Sequence, residues 1–284
     1  MEIKPERGTV FVEVEEYKYP KGAALTLSNL RFNVRKGEIV GLMGPTGSGK
    51  TTTLMLMNGL IPNFFEGNLK GLIISNSMNT MKYRIQTMSR FVGLVMQDPE
   101  TQIFGITVEK DVAFGPSNLS AEKNRIRTLV DESLKEVGLE GYNERLTGYL
   151  SGGEKQRVAI AGVLAMEPEI LILDEPTSEL DPIGKTEIFS MLSRLRDERK
   201  VTVIVSGHDS DEMLNYVDRI IVLDKGHVAW EGSPKDLFRN IPLTKSLGIR
   251  PPEIAEIGHR LAEAGLISHA EIPLYMMEAV GLLS

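Results

Sequence analysis

Cysteine is absent from the 284 residues. That excludes disulfide cross-links, thiolate metal sites and a cysteine nucleophile, and it is compatible with a reducing compartment. Long apolar runs are missing too. No stretch approaches the roughly 18 consecutive apolar residues of a membrane-spanning helix, so any work at a membrane needs another polypeptide to cross it. The opening MEIKPERGTV lacks the apolar centre of a secretory signal, and none is expected. Positive charge is in short supply: 32 Lys and Arg stand against 39 Asp and Glu, a net charge of −7. A surface that wraps nucleic acid needs a dense basic face, so nucleic acid is not an expected partner. Internal repeats and low-complexity segments are also lacking. What is present is an ordinary globular balance, 42% hydrophobic and 25% charged, at a length that suits one large domain or one with a small appendage.

The apolar pattern alternates between strand and helix. From Thr9 to Val40 it reads as short strands, with VFVEVEEYKY alternating and EIVGLMG ending a buried strand. A helix is expected from Lys50 through Gly59, and SRFVGLVMQ is a strand ending near Gln97. From Asp98 to Leu150 the pattern turns helical, and Ile126, Leu129, Val130, Leu134 and Val137 fall on one face. VAIAGVLAM is a helix stopped by EPE, and ILILDEP begins as a strand covered on both faces. KTEIFSMLSRLRDER is helical, VTVIVSGH is a strand, and RIIVLDKGHVAWEG is a hairpin turning at Lys225 and Gly226. Strands alternating with helices indicate an α/β sheet with a helical block inserted after Gln97. Beyond about Asn240 a tail follows, in which Ile254, Ile257 and Leu261 mark a short amphipathic helix. Ser268 and Glu271 have capping-box spacing, but Pro273 would then lie deep in the helix. A helix starting at Glu271, with Pro273 in its first turn, is expected instead.

GPTGSGKT fits the phosphate-loop pattern G-x-x-x-x-G-K-[ST], directly after an apolar strand and before a helix. Its glycines let backbone N–H groups turn inward around the β- and γ-phosphates of a nucleotide. Lys50 supplies positive charge against them, and Thr51 offers a hydroxyl to Mg²⁺. ILILDEP ends its strand on Asp174 and Glu175, where both can reach a ligand held at that loop. Asp174 suits Mg²⁺, held through water, and Glu175 suits a general base for the attacking water. Gln97 and His208 also end apolar strands, and Tyr19 is placed to stack on an adenine ring, with Tyr17 as runner-up. Taken singly, Gln97 reads as well as a surface glutamine, His208 as a structural histidine and Tyr19 as an ordinary strand aromatic. A second anion loop, LSGGEKQR, follows about a hundred residues after the first, although one nucleotide does not need two in one chain.

As a set these residues resemble the nucleotide-binding subunits of ABC transporters, from about Thr9 to Asn240. GPTGSGKT is similar to Walker A, ILILDE to Walker B, Gln97 to the Q-loop, LSGGEKQ to the ABC signature, SELD (Ser178 to Asp181) to the D-loop and His208 to the H-loop. The resemblance implies an α/β P-loop NTPase. Residues 1–97 and 158–240 would form a RecA-like ATP-binding core with N-terminal antiparallel strands. Residues 98–157 would form a helical signature subdomain, and 241–284 a helical tail. It implies ATP and Mg²⁺ as cofactors. Nucleotide contacts would come from Tyr19, Gly44, Pro45, Thr46, Gly47, Ser48, Gly49, Lys50, Thr51, Thr52 and Gln97. Thr51, Gln97 and Asp174 would serve the metal, and Glu175, His208, Gln97 and Lys50 the reaction. It also answers why there are two anion loops. In this family two subunits pack head to tail, so Ser151, Gly152, Gly153 and Glu154, with Asp181, would close on the nucleotide of the partner.

A narrower resemblance, carried by VGLVMQDPETQIFGITVEKDVAFGPSNL, EGSPKDLF and LGIRPPEIAEIGHRLAEAGL, is to the ATPases of energy-coupling-factor and cobalt/nickel-type importers. It implies a second ATPase subunit, identical or related, a transmembrane coupling protein and a substrate-capturing membrane protein, at the cytoplasmic face of the membrane. Ile103, Phe104, Ile106, Val108, Val112 and Phe114 would line the coupling groove or pack the helical block. The tail would add contacts between ATPase subunits or pack on its own domain. The alternatives are the ATPase of another ABC importer or exporter and a soluble ABC ATPase of cofactor assembly. Repair types need a long coiled-coil insertion and translation types two cores, and the sequence has neither. Two positions depart from the usual pattern: Gly207 where Thr is frequent, and Glu179 where a small residue is usual.

Overall fold

Two β-sheets organise the residues described by a computed structural model, 6–22, 24–119 and 121–282. The first is antiparallel, in the order β2 (Leu27–Val34), β1 (Val10–Lys18), β4 (Asn68–Ser75), β5 (Met78–Asn79). The second runs β10 (His227–Gly232), β9 (Arg219–Asp224), β3 (Ile39–Met43), β8 (Thr202–Ser206), β7 (Ile170–Leu173), β6 (Val92–Val95). From β9 through β6 its strands are parallel, and β10 returns antiparallel. Every residue of β3, β6, β7 and β8 is buried, as befits parallel strands covered on both faces. The β9–β10 hairpin turns at Lys225 (φ 45°) and Gly226 (φ 83°), the pair of left-handed residues expected there.

Alternation along these strands divides the core in two. Ile170, Ile172, Ile204 and Val40 point to the antiparallel sheet and to the helix Lys50–Asn58. Leu171, Leu173, Val203 and Val205 point to the other face, where the helices Gly152–Leu164 and Pro182–Arg199 lie. The Lys50–Asn58 helix ends on Gly59 in the left-handed region, whose N–H closes the last turn.

The segment after Gln97 is mostly helical: Val108–Val112, Phe114–Asn118 and Lys123–Glu136 precede the Gly152–Leu164 helix. Leu129, Val130, Leu134 and Val137 are buried, and Ile126 packs against them half-buried. The six apolar candidates for a groove divide. Val108 and Val112 are core and Ile103 is half-buried, whereas Phe104, Ile106 and Phe114 are 73%, 71% and 57% exposed.

The tail packs on its own chain through Ile241, Ile249, Ala255, Ala262, Ile272 and Leu274, all in the same core as the parallel sheet. Its amphipathic helix is Glu253–Glu263. The next expectation is corrected. Ser268 and Glu271 do form a capping box, on the short 3-10 turn His269–Glu271, and the last helix starts at Met276 rather than Glu271. The reason is packing. A Cβ on Gly258 would lie 2.4 Å from Pro273 Cδ, so Pro273 sits directly against the preceding helix, and the flanking Ile272 and Leu274 are buried. That anchorage keeps the chain out of helix until Met276.

Candidate active site

Parallel strands deliver their carboxyl ends to one edge of the sheet. At that edge β3 runs into the phosphate loop, β8 into Gly207 and His208, β7 into Asp174 and Glu175, and β6 into Met96 and Gln97. Four segments distant in sequence therefore meet because of strand order alone.

The loop from Gly44 to Thr51 depends on backbone that only glycine adopts cheaply. Gly44 has φ 139°, and a Cβ there would stand 2.0 Å from the Leu223 carbonyl oxygen. Gly49 has φ 101°, and its Cβ would stand 2.6 Å from Leu27 Cδ2. Lys50 is buried, and its Nζ donates to the carbonyls of Gly44 at 2.8 Å and Pro45 at 3.3 Å. Burial lowers the Lys50 pKa, against the pull of Glu175 and Asp174. The Ser48 hydroxyl is buried with no partner among the described residues, a donor directed into a loop built for anions. Pro45, Thr46 and Gly47 complete the turn, and Gly47 also has positive φ, 79°.

Asp174 is 2% exposed and accepts two hydroxyl hydrogen bonds, from Thr51 to Oδ2 at 2.7 Å and from Ser206 to Oδ1 at 2.5 Å. Ser206 also accepts from the Glu175 N–H at 2.9 Å. Sequence reasoning missed Ser206, although a polar residue directly after the apolar run VIV was the available signal. Glu175 itself has φ 46°, an unusual backbone for a non-glycine residue, and this turns its carboxylate out of the strand line. There His208 Nε2 lies 2.9 Å from Oε1, and Gln97 Nε2 donates to Oε2 at 3.4 Å. Gly207 is matched to its setting: a Cβ would meet Met213 Cε at 2.8 Å.

Thr51 and Asp174 are hard oxygen donors already side by side, the donor type a magnesium ion takes alongside phosphate oxygens. Among the described residues no group of three or more His, Asp or Glu could hold a metal unaided. Any such ion would lean on the nucleotide.

Tyr19 is half-buried, and its hydroxyl shares a hydrogen bond with the Thr52 hydroxyl at 3.1 Å. Tyr17 is fully buried, edge-on to Tyr19 at 5.0 Å, and burial with Tyr19 beside it pushes its phenol up to about 12. Of the two aromatics, only Tyr19 is open to a ligand.

The second anion loop stands apart. Ser151 caps the Gly152–Leu164 helix by accepting from the Glu154 N–H at 3.3 Å, and Glu154 accepts from the Ser151 N–H at 2.8 Å. That N–H holds the Glu154 carboxylate below its usual range. The Tyr142 hydroxyl donates to the same carboxylate at 3.0 Å. Ser151 and Gly152 are exposed, and Gly153 is tight against Leu180. Asp181 caps its own helix, Pro182–Arg199, by accepting from the Gly184 N–H at 2.7 Å. Among the described residues Ser151 to Glu154 reach Tyr142 and Arg145 through the Glu154 carboxylate and make no hydrogen bond or ion pair with the phosphate loop.

Comparison with known proteins gives consistent matches. The family model described as ABC transporter matches residues 27–178, just over half of the chain. A Pyrococcus horikoshii protein, provisionally named an ABC transporter ATP-binding protein and nothing finer, is 40% identical over 91% of this chain and 92% of its own. The energy-coupling factor transporter ATP-binding protein EcfA of Methanocaldococcus jannaschii is 41% identical over 85% of each chain. Among solved structures, CbiO1 of Clostridium perfringens, part of the ABC transporter complex CbiONQ, matches with a TM-score of 0.75 at 35% identity, over 90% of this chain and 99% of its own. The ATP-binding cassette MJ0796, a dimer in a post-hydrolysis state with ADP and Pi, gives 0.70 at 29% identity, over 79% of this chain and 98% of its own.

Proposed function

We infer the function from one premise: this chain belongs to the ABC transporter family, with the P-loop ATPase fold, and it binds and hydrolyses ATP. We propose that it powers import of a micronutrient, a metal ion or vitamin, through a transporter of the energy-coupling-factor type. The likeness to EcfA, together with the exposed aromatic groove, carries that finer reading.

In this reading the N–H groups of the phosphate loop hold the β- and γ-phosphates, and Lys50 exchanges the Gly44 and Pro45 carbonyls for phosphate oxygens. Thr51, Asp174 and Gln97 would hold Mg²⁺ together with the phosphates, and the ion would supply charge neutralisation there. Glu175 takes the proton of the attacking water. His208 and Gln97, which flank its carboxylate, orient that water and the γ-phosphate. Tyr19 stacks on the adenine. Core 1–97 and 158–240, helical block 98–157 and tail 241–284 are the working divisions, with the Gly152–Leu164 helix crossing the boundary at 157.

A second ATPase subunit completes each site. The exposed N-terminus of the Gly152–Leu164 helix directs Ser151, Gly152 and Gly153 away from their own phosphate loop, as needed to cap a nucleotide on a partner. The MJ0796 dimer supports that arrangement. The membrane partner docks in a groove of about 530 Å³ where Phe104 and Phe114 face Gly162 and Met166. Among the described residues no helix is long and apolar enough to cross a membrane, so in this reading the subunit sits peripherally on the cytoplasmic face.

The test is co-purification of the tagged chain from detergent-solubilised membranes. A multi-helix membrane protein should accompany it and be lost when Phe104 and Phe114 are both changed to Asp. Glu175→Gln should keep that partner and trap ATP-bound pairs. Recovery of the chain without any membrane partner would overturn the import reading.

A further inference from the structure

Behind the loop that carries His208 lies a cluster of charges that neither phosphate binding nor the face between subunits accounts for. Asp209 follows His208 directly. Its Oδ2 accepts from Lys185 Nζ at 2.8 Å, and its Oδ1 accepts from the Asp211 N–H at 3.2 Å, capping the helix Ser210–Tyr216. Lys185 lies one turn inside the Pro182–Arg199 helix, and its N–H donates to the Asp181 carbonyl at 3.0 Å. Glu212, one turn further along the second helix, adds a carboxyl whose Oε2 is buried with no partner among the described residues. Burial and the neighbouring Asp209 push the Glu212 carboxyl up to about 7. Burial alone would raise Asp209 too, but the neighbouring Glu212 and the ion pair with Lys185 outweigh that and hold it low. Of the two, Glu212 takes up the shared proton as pH falls through about 7, and Asp209 stays an anion for Lys185.

The restraint matters because His208 has little else to fix it. Its side chain is half exposed, and the residue before it is Gly207, which has no side chain to pack. On the other side stands Asp209, held by two helices at once. We propose that Lys185 and Asp209 are positioning residues for His208: their ion pair sets the loop that places His208 Nε2 2.9 Å from Glu175 Oε1, and ties that contact to the Asp181 end of the Pro182–Arg199 helix. An unbroken path then runs from Asp181, on the face offered to a second subunit, through Lys185, Asp209 and His208 to Glu175. The proposal rests on the reading of His208 and Glu175 as parts of the hydrolysis site.

The ion pair is partly buried, with side chains 26% and 33% exposed, so its loss costs at most modest stability, and turnover read well below the melting transition separates position from fold. The experiment is ATP turnover by the full chain at saturating subunit concentration. Lys185→Met should lower kcat roughly ten- to a hundredfold, the scale of a misplaced group near the chemistry. KM for ATP and the melting temperature should stay close to the parent values, and Lys185→Arg should restore most of the rate. In a His208→Ala background Lys185→Met should add no further loss, because both changes remove the same contact. A loss that multiplies with that of His208→Ala, or that is confined to KM or to melting, overturns the linkage. Full turnover by His208→Ala would instead sink the assignment of His208 and the linkage with it, a result distinct from a slowed but measurable His208→Ala whose residual turnover Lys185→Met lowers further.

Discussion

Asp174 and Glu175 are neighbours with the same functional group and opposite surroundings. Asp174 is an oriented acceptor between two hydroxyls, and Glu175 swings out to His208 and Gln97. Two carboxylates closing an apolar strand announce a site in the sequence. What divides their work does not, because it depends on Ser206, 32 residues away and brought alongside only by the pairing of β7 with β8. Glu212 is the sharper case of an environment that local sequence does not record. Its pKa rises from 4.5 when free to about 7 in the fold. Between those values the folded chain holds a proton that the unfolded chain releases, so this group contributes stability at acid pH that is lost as pH rises through about 7. Asp209 titrates on the other side, below its ordinary value, and does not enter that window. Facing the pair are Lys185 and Asp211, with Arg250 and Glu253 of the tail beyond Asp211. Glu212→Gln removes the titration. Its melting temperature relative to the parent should therefore climb between roughly pH 5 and pH 8, and a constant difference across that range would place the shared proton elsewhere.

At the scale of elements, the Gly152–Leu164 helix carries two duties at one end. The capping box Ser151–Glu154 satisfies its first N–H groups, and the same exposed turn is the proposed cap of a partner's γ-phosphate. The two duties have different sizes. Losing the cap hydroxyl costs about 0.5–2 kcal/mol of stability, which a folded domain survives. Losing a donor to the transferring phosphate costs about 10²–10³ in rate. Ser151→Ala should thus melt only slightly lower and bind ATP with unchanged affinity, while its turnover falls far more than its stability. Equal losses in binding and turnover would return Ser151 to a purely structural role. The helix and its cap are legible because spacing is local: Ser and Glu three apart, then an apolar face. The strands β3, β6, β7 and β8 are legible for the same reason. Non-local packing is where such reading stops. Val108 and Phe104 carry the same apolar signal, yet one is core and the other is 73% exposed. Nothing in their spacing says which face of the block meets the sheet. The late start of the last helix has the same origin, since Pro273 is held by Gly258 on another element.

For the molecule as a whole, the question is whether one chain holds a complete site. The phosphate loop and the Ser151 loop each have good local geometry, and among the described residues no hydrogen bond or ion pair joins them, as two chains arranged head to tail require. A mixing experiment decides it. Lys50→Ala removes the charge at the phosphate loop and leaves the Ser151 loop intact. Gly152→Asp places an anion where a phosphate should be capped, and its side chain has room, since the nearest atom to a Cβ there is 3.9 Å away. Alone, each variant should be inactive, because both sites of its dimer carry the same defect. Mixed in equal amounts, half of the pairs are mixed, and each of these joins an intact phosphate loop to an intact Ser151 loop at one of its two sites. About a quarter of the parent rate should return if the two sites act independently. Sites contained within one chain would stay dead in the mixture, since every chain would bring its own defect to its own nucleotide. The recovered rate should also rise more steeply than in proportion to total protein, because a site made by two chains forms only as fast as they pair.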